Sequence, residues 1–187
     1  MTNQNANKIK LPASSHKKAI LVVDVVEKSI NDNSKPIIKN ILQLLSTLKY
    51  EAYIIAEYTD KVNSMHAMKK NKWLTQFKKL ETEEETIEAI KTKIAAKKPY
   101  NIVKTTRSVF GNTNALASYL KKKDIRELHI VGLETHDCIL ATALDAFDFG
   151  FITLVIEEAC GAKMKQLHES GLSILQKLNL TNHTIDL

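Results

Sequence analysis

Three residues in this sequence, a carboxylate, an ammonium and a thiol, follow predicted β-strands at positions where they can react together. Asp24 directly follows an apolar run, Lys104 ends a second run, and Cys138 lies in the turn after a third. In open parallel sheets the ligand crevice lies at the carboxyl ends of the strands. A thiolate is a nucleophile, a carboxylate accepts protons, and an ammonium stabilises nearby anions. Together the three side chains predict nucleophilic chemistry at one edge of a sheet.

Cys138 has the most informative local sequence of the three. Thr135 is a natural N-cap for the helix that follows, which puts Cys138 at the third helical position. Free backbone N–H groups and the positive end of the helix favour an anion there, so we predict a lowered thiol pKa. The alternative is that Cys138 is a small buried hydrophobic residue, the common role of a free cysteine.

Asp24 and Lys104 each have a simpler structural interpretation. A carboxylate that ends an apolar strand is costly unless it has partners, and Asp24 is alternatively a turn or helix-cap aspartate. Lys104 offers the opposite charge on a long stem, but a lysine at the end of a strand is commonly solvated. Only their combination with Cys138 favours a catalytic interpretation.

The elements that must position these residues alternate between strand and helix. Nearly continuous apolar runs rich in β-branched residues predict buried parallel strands. These strands are expected at 19–23, 52–56, 101–103, 128–131, 152–156 and 183–185. Helical periodicity appears between the runs, at 36–48, 87–94, 113–120, 136–149 and 167–178. This alternation predicts βαβ units in an α/β sandwich.

Length and composition indicate one globular domain. The chain has 187 residues, of which 44% are hydrophobic and 26% charged. No apolar stretch approaches the roughly 18 residues that span a bilayer, and the polar start lacks a signal sequence. We therefore expect a cytoplasmic protein without a membrane partner. Two cysteines, Cys138 and Cys160, are too few for a disulfide framework, and we expect Cys160 to be a packed thiol.

The formal charge of +6 is concentrated at the start of the chain. Four lysines precede the first acidic residue, Asp24, and the rest of the chain carries +2. We predict a flexible basic arm over residues 1–17 and a domain over 18–187. A nucleic-acid site would need a basic patch with interleaved aromatic residues, and the sequence offers none, so we expect no nucleic-acid partner.

Over about residues 19–178 the sequence resembles the isochorismatase-like cysteine hydrolases, a family that includes nicotinamidases. The similarity is carried by Asp24 after the first strand and by four further motifs, with His168 downstream. These motifs are Lys-Thr-Thr-Arg-Ser-Val-Phe-Gly-Asn-Thr at 104–113, Val-Gly-Leu-Glu-Thr-His-Asp-Cys at 131–138, Ala-Thr-Ala-Leu-Asp-Ala at 141–146 and Glu-Ala-Cys-Gly at 158–161. The block from 104 to 161 is specific, whereas Asp24 alone would not be.

The resemblance implies a fold, a set of catalytic residues and a mechanism. The fold is a Rossmann-like three-layer α/β/α sandwich around a six-stranded parallel sheet. Asp24, Lys104 and Cys138 would be catalytic, and a cis peptide before Glu134 would direct the N–H groups of Glu134 and Cys138 into one oxyanion hole. Many members are homo-oligomers, so we expect one here. His168 is interpreted as structural.

The predicted substrate pocket departs from the family. Nicotinamidases carry a metal-binding Asp-x-His after the second strand, where this chain reads Glu57-Tyr-Thr-Asp60, so we expect neither a metal nor another cofactor. Glu134 replaces a small residue, and its charge would disfavour anionic substrates. His136 is either a pocket donor or a surface residue. With segment 64–80, the predicted pocket residues are Tyr58, Trp73, Phe110, Thr135 and His136.

Three functional hypotheses follow from these observations. The first is an amidohydrolase that cleaves a C–N bond of a small molecule through a Cys138 thioester. The second is a vinyl-ether hydrolase of the isochorismate type, with Asp24 as the acid and no covalent step. The third is a non-catalytic family member that acts as a binding or scaffold subunit.

Overall fold

The structure is a computed structural model, and it describes residues 9–59, 85–111 and 113–183. Five parallel strands form one sheet with the spatial order β3-β2-β1-β4-β5. The strands are β1 (Lys18–Val23), β2 (Ala52–Tyr58), β3 (Tyr100–Lys104), β4 (Glu127–Leu133) and β5 (Ile152–Gly161). The predicted α/β fold with a parallel sheet is confirmed.

The sixth predicted strand, at 183–185, lies almost entirely outside the described residues. Next to it, Thr181 forms a single parallel bridge with Val155 of β5. The sheet therefore has five strands within the described ranges, rather than the six expected.

Helices cover both faces of the sheet, because alternate residues of each strand point to opposite sides. They are α1 (Pro36–Thr47), α2 (Glu88–Ile94), α3 (Ala115–Lys122), α4 (Leu140–Asp148) and α5 (Lys165–Lys177). On one face Ile20 and Val22 of β1 share a hydrophobic cluster with α1 and α2. On the other face, Leu21 and Val23 share a cluster with α3, α4 and α5. Within the described ranges, no helix is both long and apolar enough to cross a membrane.

β4 approaches the end of β1 unusually closely at Gly132. The φ angle of Gly132 is +125°, and a Cβ atom there would lie 2.1 Å from the carbonyl oxygen of Val23. Only glycine fits this position. The residue that follows Val23 is therefore held against the turn that follows β4.

The described part of the predicted N-terminal arm, residues 9–17, makes contacts with the domain. Ile9 and Leu11 pack against the α1 side of the core. The side-chain amide of Asn182 donates to the carbonyl oxygen of Lys10 at 3.1 Å. The backbone N–H of Arg126 donates to the carbonyl oxygen of Lys17 at 3.0 Å. The division of the chain at residue 17 stays a prediction, and residues 1–8 lie outside the described residues.

Candidate active site

The three residues singled out by the sequence lie together at the carboxyl edge of the sheet. Asp24 follows β1, Lys104 is the last residue of β3, and Cys138 lies in a π-helical turn after β4, Thr135–Ile139. Lys104 Nζ is 2.7 Å from Asp24 Oδ2 and 3.3 Å from Cys138 Sγ. One ammonium thus contacts both the carboxylate and the thiol.

Lys104 is buried and held in place at its charged end. Only 4% of the residue is exposed, and Nζ also donates to the carbonyl oxygen of Thr106 at 3.2 Å. The Tyr58 ring lies beneath the ammonium, with 5.2 Å between Nζ and the ring centroid. A cation over an aromatic face is stabilised by the ring quadrupole. The predicted pocket residue Tyr58 therefore lies beside the charged cluster.

Asp24 is buried at the end of its strand. Its backbone has a φ of +52°, a conformation that only a few per cent of non-glycine residues adopt. Its carboxylate lies against the Lys104 ammonium, with 2.7 Å between Oδ2 and Nζ, and is also close to the Cys138 thiol and the Tyr58 backbone. Burial raises the pKa of Asp24 and outweighs the lowering effects of Lys104 and Cys138. The carboxylate is thereby made a better proton acceptor.

The predicted lowering of the Cys138 pKa is wrong. Burial raises the pKa of the thiol to about 12, with a further increase from the charge of Asp24, while Lys104 opposes the rise. The predicted N-cap is also wrong, because the Thr135 side chain bonds elsewhere. Thr135 is fully buried and its hydroxyl donates to the carbonyl oxygen of Gly161 at 2.9 Å.

The turn that carries Cys138 begins at a cis peptide bond between Leu133 and Glu134, as the resemblance implies. The carbonyl oxygen of Glu134 accepts from the backbone N–H groups of Asp137, at 2.9 Å, and Ile139, at 3.2 Å. The Glu134 side-chain carboxylate accepts from the backbone N–H of Lys163 at 3.1 Å. Glu134 thus joins the turn to the segment after β5. The role of its own N–H in an oxyanion hole stays a prediction.

Two of the predicted pocket residues point into the protein. Phe110 is 2% exposed, and its ring stacks on Phe149 and Phe151 in the hydrophobic core. Thr135 is committed to its bond with Gly161. Core packing and an internal hydrogen bond therefore use the side chains of Phe110 and Thr135, and their place in the substrate pocket stays a prediction.

His136 does line a cavity, which has a volume of about 510 Å³ and lies beside the turn. The remaining lining residues are Arg107, Asp137, Leu140, Ala141 and Leu144. Trp73 and segment 64–80, also predicted to shape the pocket, lie outside the described residues.

Sequence reasoning missed the ion pair between Arg107 and Asp137 at this cavity. The guanidinium and carboxylate are in contact, and Asp137 raises the pKa of Arg107. A signal was present, because Arg107 lies three residues after Lys104 and Asp137 immediately precedes Cys138. The pair bridges the two motifs on the solvent side of the buried cluster.

Glu57 lies at the position that the resemblance relates to metal binding, and its carboxylate makes an internal contact. Glu57 Oε1 accepts from the backbone N–H of Thr86 at 2.6 Å, which ties the end of β2 to the segment before α2. In the part of the chain that the structure describes, no three His, Cys, Asp or Glu residues are grouped as metal ligands. Asp60 lies outside that part.

Comparison with known proteins decides the family. Residues 18–186 match the sequence model described as the Isochorismatase domain. The chain belongs to the isochorismatase family. Its fold agrees, since the structure of a nicotinamidase/pyrazinamidase from Bacillus subtilis matches with a TM-score of 0.72. That match has 21% identity and covers 90% of this chain and 100% of the other.

Individual relatives of this isochorismatase-family chain have diverse descriptions. Nicotinamidase 3 of Arabidopsis thaliana is 27% identical over 82% of this chain and 78% of its own length. A probable inactive nicotinamidase of the same plant is 33% identical, over 46% of this chain and 44% of its own length. An uncharacterized isochorismatase family protein of Bacillus subtilis is 36% identical, with 40% of each chain matched. The matches to the last two thus span less than half of those relatives.

The same fold also occurs in a protein with another description. A ribonuclease from Caenorhabditis elegans matches with a TM-score of 0.67 and 18% identity, covering 90% of this chain and 77% of the other. The isochorismatase-family fold by itself therefore does not define a substrate.

Proposed function

We propose that this isochorismatase-family protein is a cysteine hydrolase that cleaves a C–N bond in a small amide-type substrate through a Cys138 thioester. The observation that carries the proposal is the contact of one buried ammonium, Lys104, with both the Asp24 carboxylate and the Cys138 thiol. A thiol, a base and a cation in mutual reach are the groups that acyl transfer requires.

The raised pKa values suit a thiol that loses its proton only as it attacks. At neutral pH Cys138 is protonated, and the basicity of buried Asp24 makes it the acceptor for that proton. As the proton moves to Asp24, negative charge moves onto sulfur, where Lys104 Nζ lies at 3.3 Å. The Lys104 ammonium therefore stabilises the negative charge both on the Asp24 carboxylate and on the Cys138 sulfur.

Acylation follows from attack of sulfur on the carboxamide carbon. The C–S bond forms as the carbonyl π electrons move onto oxygen, and backbone N–H groups of Glu134 and Cys138 would stabilise that oxyanion. When the oxyanion collapses, the C–N bond breaks and Asp24 gives its proton to the departing amine. A thioester on Cys138 remains.

Deacylation uses the same groups in reverse. Asp24 takes a proton from water, whose oxygen attacks the thioester carbon, and the C–S bond then breaks. The proton returns from Asp24 to sulfur, which leaves a carboxylic acid product and the resting enzyme.

Two alternatives each have an observation in their favour. The raised pKa of Asp24 suits an acid that protonates a vinyl ether without a covalent step. The raised pKa of Cys138 suits a binding subunit without turnover, and one relative is named a probable inactive nicotinamidase.

Intact-mass spectrometry after incubation with primary amides and small acyl ureas distinguishes the three. An acyl mass on wild-type protein that persists in Cys160→Ala and disappears in Cys138→Ala is the expected result. Turnover of an isochorismate-type vinyl ether that is retained in Cys138→Ala would favour the vinyl-ether reaction. No adduct, no turnover and an unreactive Cys138 would favour the binding subunit.

A further inference from the structure

A hydrogen-bonded link joins the turn that carries Cys138 to the last helix, α5. Thr135, the first residue of the turn, lies with its hydroxyl oxygen 2.9 Å from the carbonyl oxygen of Gly161 and 2.8 Å from His168 Nδ1. Gly161 ends β5 and is paired with Leu133 of β4, while His168 lies in the first turns of α5. The hydroxyl thus connects three elements at one buried point.

Counting hydrogens assigns the direction of both bonds. A hydroxyl has one hydrogen, and a carbonyl oxygen can only accept, so the Thr135 hydrogen is directed to Gly161. The contact with His168 then requires a hydrogen on Nδ1 that His168 donates to Thr135. Because both the Nδ1–H neutral ring and the imidazolium carry that hydrogen, the link does not depend on which of them is present.

A second observation places α5 directly against the same turn. A Cβ atom at Gly171 would lie 2.8 Å from both the Cα and the N atom of His136. Gly171 is three residues after His168, so the two positions share a face of the helix. The helix therefore contacts the turn through the hydrogen bond of His168 with Thr135 and, one helical turn later, through the close approach of Gly171 to the His136 backbone.

We propose that His168 is a positioning residue, which fixes Thr135 and thereby the backbone of the turn from Glu134 to Cys138. This inference rests on the proposed function, since it assigns His168 a part in holding the nucleophile and the predicted oxyanion donors in register. His168 does not touch the sulfur. Its effect is transmitted through the Thr135 hydroxyl.

The charged residues around His168 do not replace this bond. Glu157 and Glu169 act on its pKa only through their charges, and burial outweighs both to lower it. Glu157 is engaged by the side-chain amide of Gln176, with both contacts at 2.9 Å. The hydrogen bond to Thr135 is therefore the directed contact that ties the imidazole to the turn.

Two pairs of variants separate the hydrogen bond from general packing. His168→Asn keeps a donor near the position of Nδ1, whereas His168→Leu fills similar space without one. Thr135→Ser keeps the hydroxyl, whereas Thr135→Val removes it. Thr153→Val is the matched control, because Thr153 is a buried threonine at the start of β5 whose hydroxyl donates to Phe151.

The first measurement is backbone hydrogen exchange of peptides covering residues 133–140, which needs no substrate. His168→Leu and Thr135→Val should each speed exchange there about tenfold, with His168→Asn, Thr135→Ser and Thr153→Val within about threefold of wild type. The double variant His168→Leu/Thr135→Val should be no faster than either single variant, because both remove the same link.

The second measurement is steady-state turnover with the amide found by mass spectrometry. His168→Leu should lower kcat about tenfold and change KM by less than about threefold, and His168→Asn should restore most of the loss. Equal behaviour of the Leu and Asn variants, or faster exchange spread evenly over the whole chain, would overturn the proposal. If the wild type turns over no amide, the proposed function fails, and the exchange data still decide the role of His168.

Discussion

Lys104 Nζ lies 3.3 Å from Cys138 Sγ, although the two residues are 34 positions apart and two strands, β2 and β1, separate β3 from β4 in the sheet. The same ammonium lies 2.7 Å from Asp24; Asp24 and Lys104 are buried, and Cys138 is partly buried. Charges in such a place are poorly screened, so each depends strongly on the others.

Removing the ammonium should cost stability because it leaves a buried carboxylate alone. We expect Lys104→Met to lower the free energy of unfolding by about 3 kcal/mol, as for other broken buried pairs. The double variant Asp24→Asn/Lys104→Met should lose less than the sum of its single variants, since it leaves no unpaired charge. Urea denaturation measures all four proteins, and strictly additive losses would contradict the coupling.

Alkylation by iodoacetamide should label Cys138 far faster than Cys160, because Cys160 is buried in the core, and burial also raises the pKa of its thiol. With a pKa of about 12, the Cys138 thiolate fraction grows throughout the accessible range. The labelling rate should rise about tenfold per pH unit between about pH 7 and about pH 10. Cys138→Ala supplies the control, and a plateau near neutral pH would show an acidic thiol instead.

The raised pKa of Asp24 sets the sign of a pH effect on stability. The folded protein binds this proton more tightly than the unfolded chain does, whose carboxyl has the ordinary pKa of 3.8. As pH rises from that value through the raised pKa, the wild type should therefore lose stability relative to Asp24→Asn. Unfolding free energies between about pH 4 and about pH 8 measure the difference, and a gain with rising pH would contradict it.

The main features of the fold and the charged cluster could be predicted from the sequence for a physical reason. Parallel strands buried on both faces must be nearly continuous in apolar residues, and their carboxyl ends meet at one edge. The sequence marks the strand ends with polar residues after apolar runs, so the clustering of Asp24, Lys104 and Cys138 could be predicted from these ends alone.

Side-chain direction inside the turn was beyond such reasoning. Thr135 reads as a helix cap from its neighbours, but its hydroxyl bonds Gly161, 26 residues away. Phe110 lies in a family motif that contains many polar residues, but its ring enters the core. The prediction of a lowered Cys138 pKa failed for a related reason, because the burial of Cys138 depends on tertiary packing that local sequence does not encode.

The close contact of α5 with the turn predicts a sensitive position at Gly171. Gly171→Ala would bring Cβ to 2.8 Å from backbone atoms of His136, so the helix or the turn must shift. We expect about a tenfold loss of kcat, although alanine favours helix formation by about 1 kcal/mol. Ser173→Ala on the exposed side of the same helix is the control, and full activity of Gly171→Ala would show that the turn tolerates the shift.

A buried network at the opposite end of the sheet should contribute to stability alone. His129 Nε2 lies 2.7 Å from Glu127 Oε1 and must donate to it, so Nδ1 accepts from the Tyr50 hydroxyl at 3.0 Å. Tyr50→Phe leaves that buried acceptor unpaired and should cost about 1 to 2 kcal/mol in unfolding free energy. Thermal and urea denaturation measure the loss, with Tyr119→Phe as the control.

Turnover per folded molecule should be unchanged in Tyr50→Phe, since the network lies at the amino ends of the strands, away from Cys138. A loss of kcat in the fully folded variant would contradict that separation.

The strand order places two of the three reactive groups, Asp24 and Cys138, at interior strands of the sheet and the third, Lys104, at an edge strand. Asp24 and Cys138 follow β1 and β4, which are adjacent in the interior of the sheet, whereas Lys104 belongs to β3 at one edge. An edge strand is held by one neighbour only, so it frays at lower free energy than the strands inside. On gradual heating β3 should therefore separate first and carry Lys104 away from Asp24 and Cys138. Turnover should then fall at temperatures at which most of the domain is still folded.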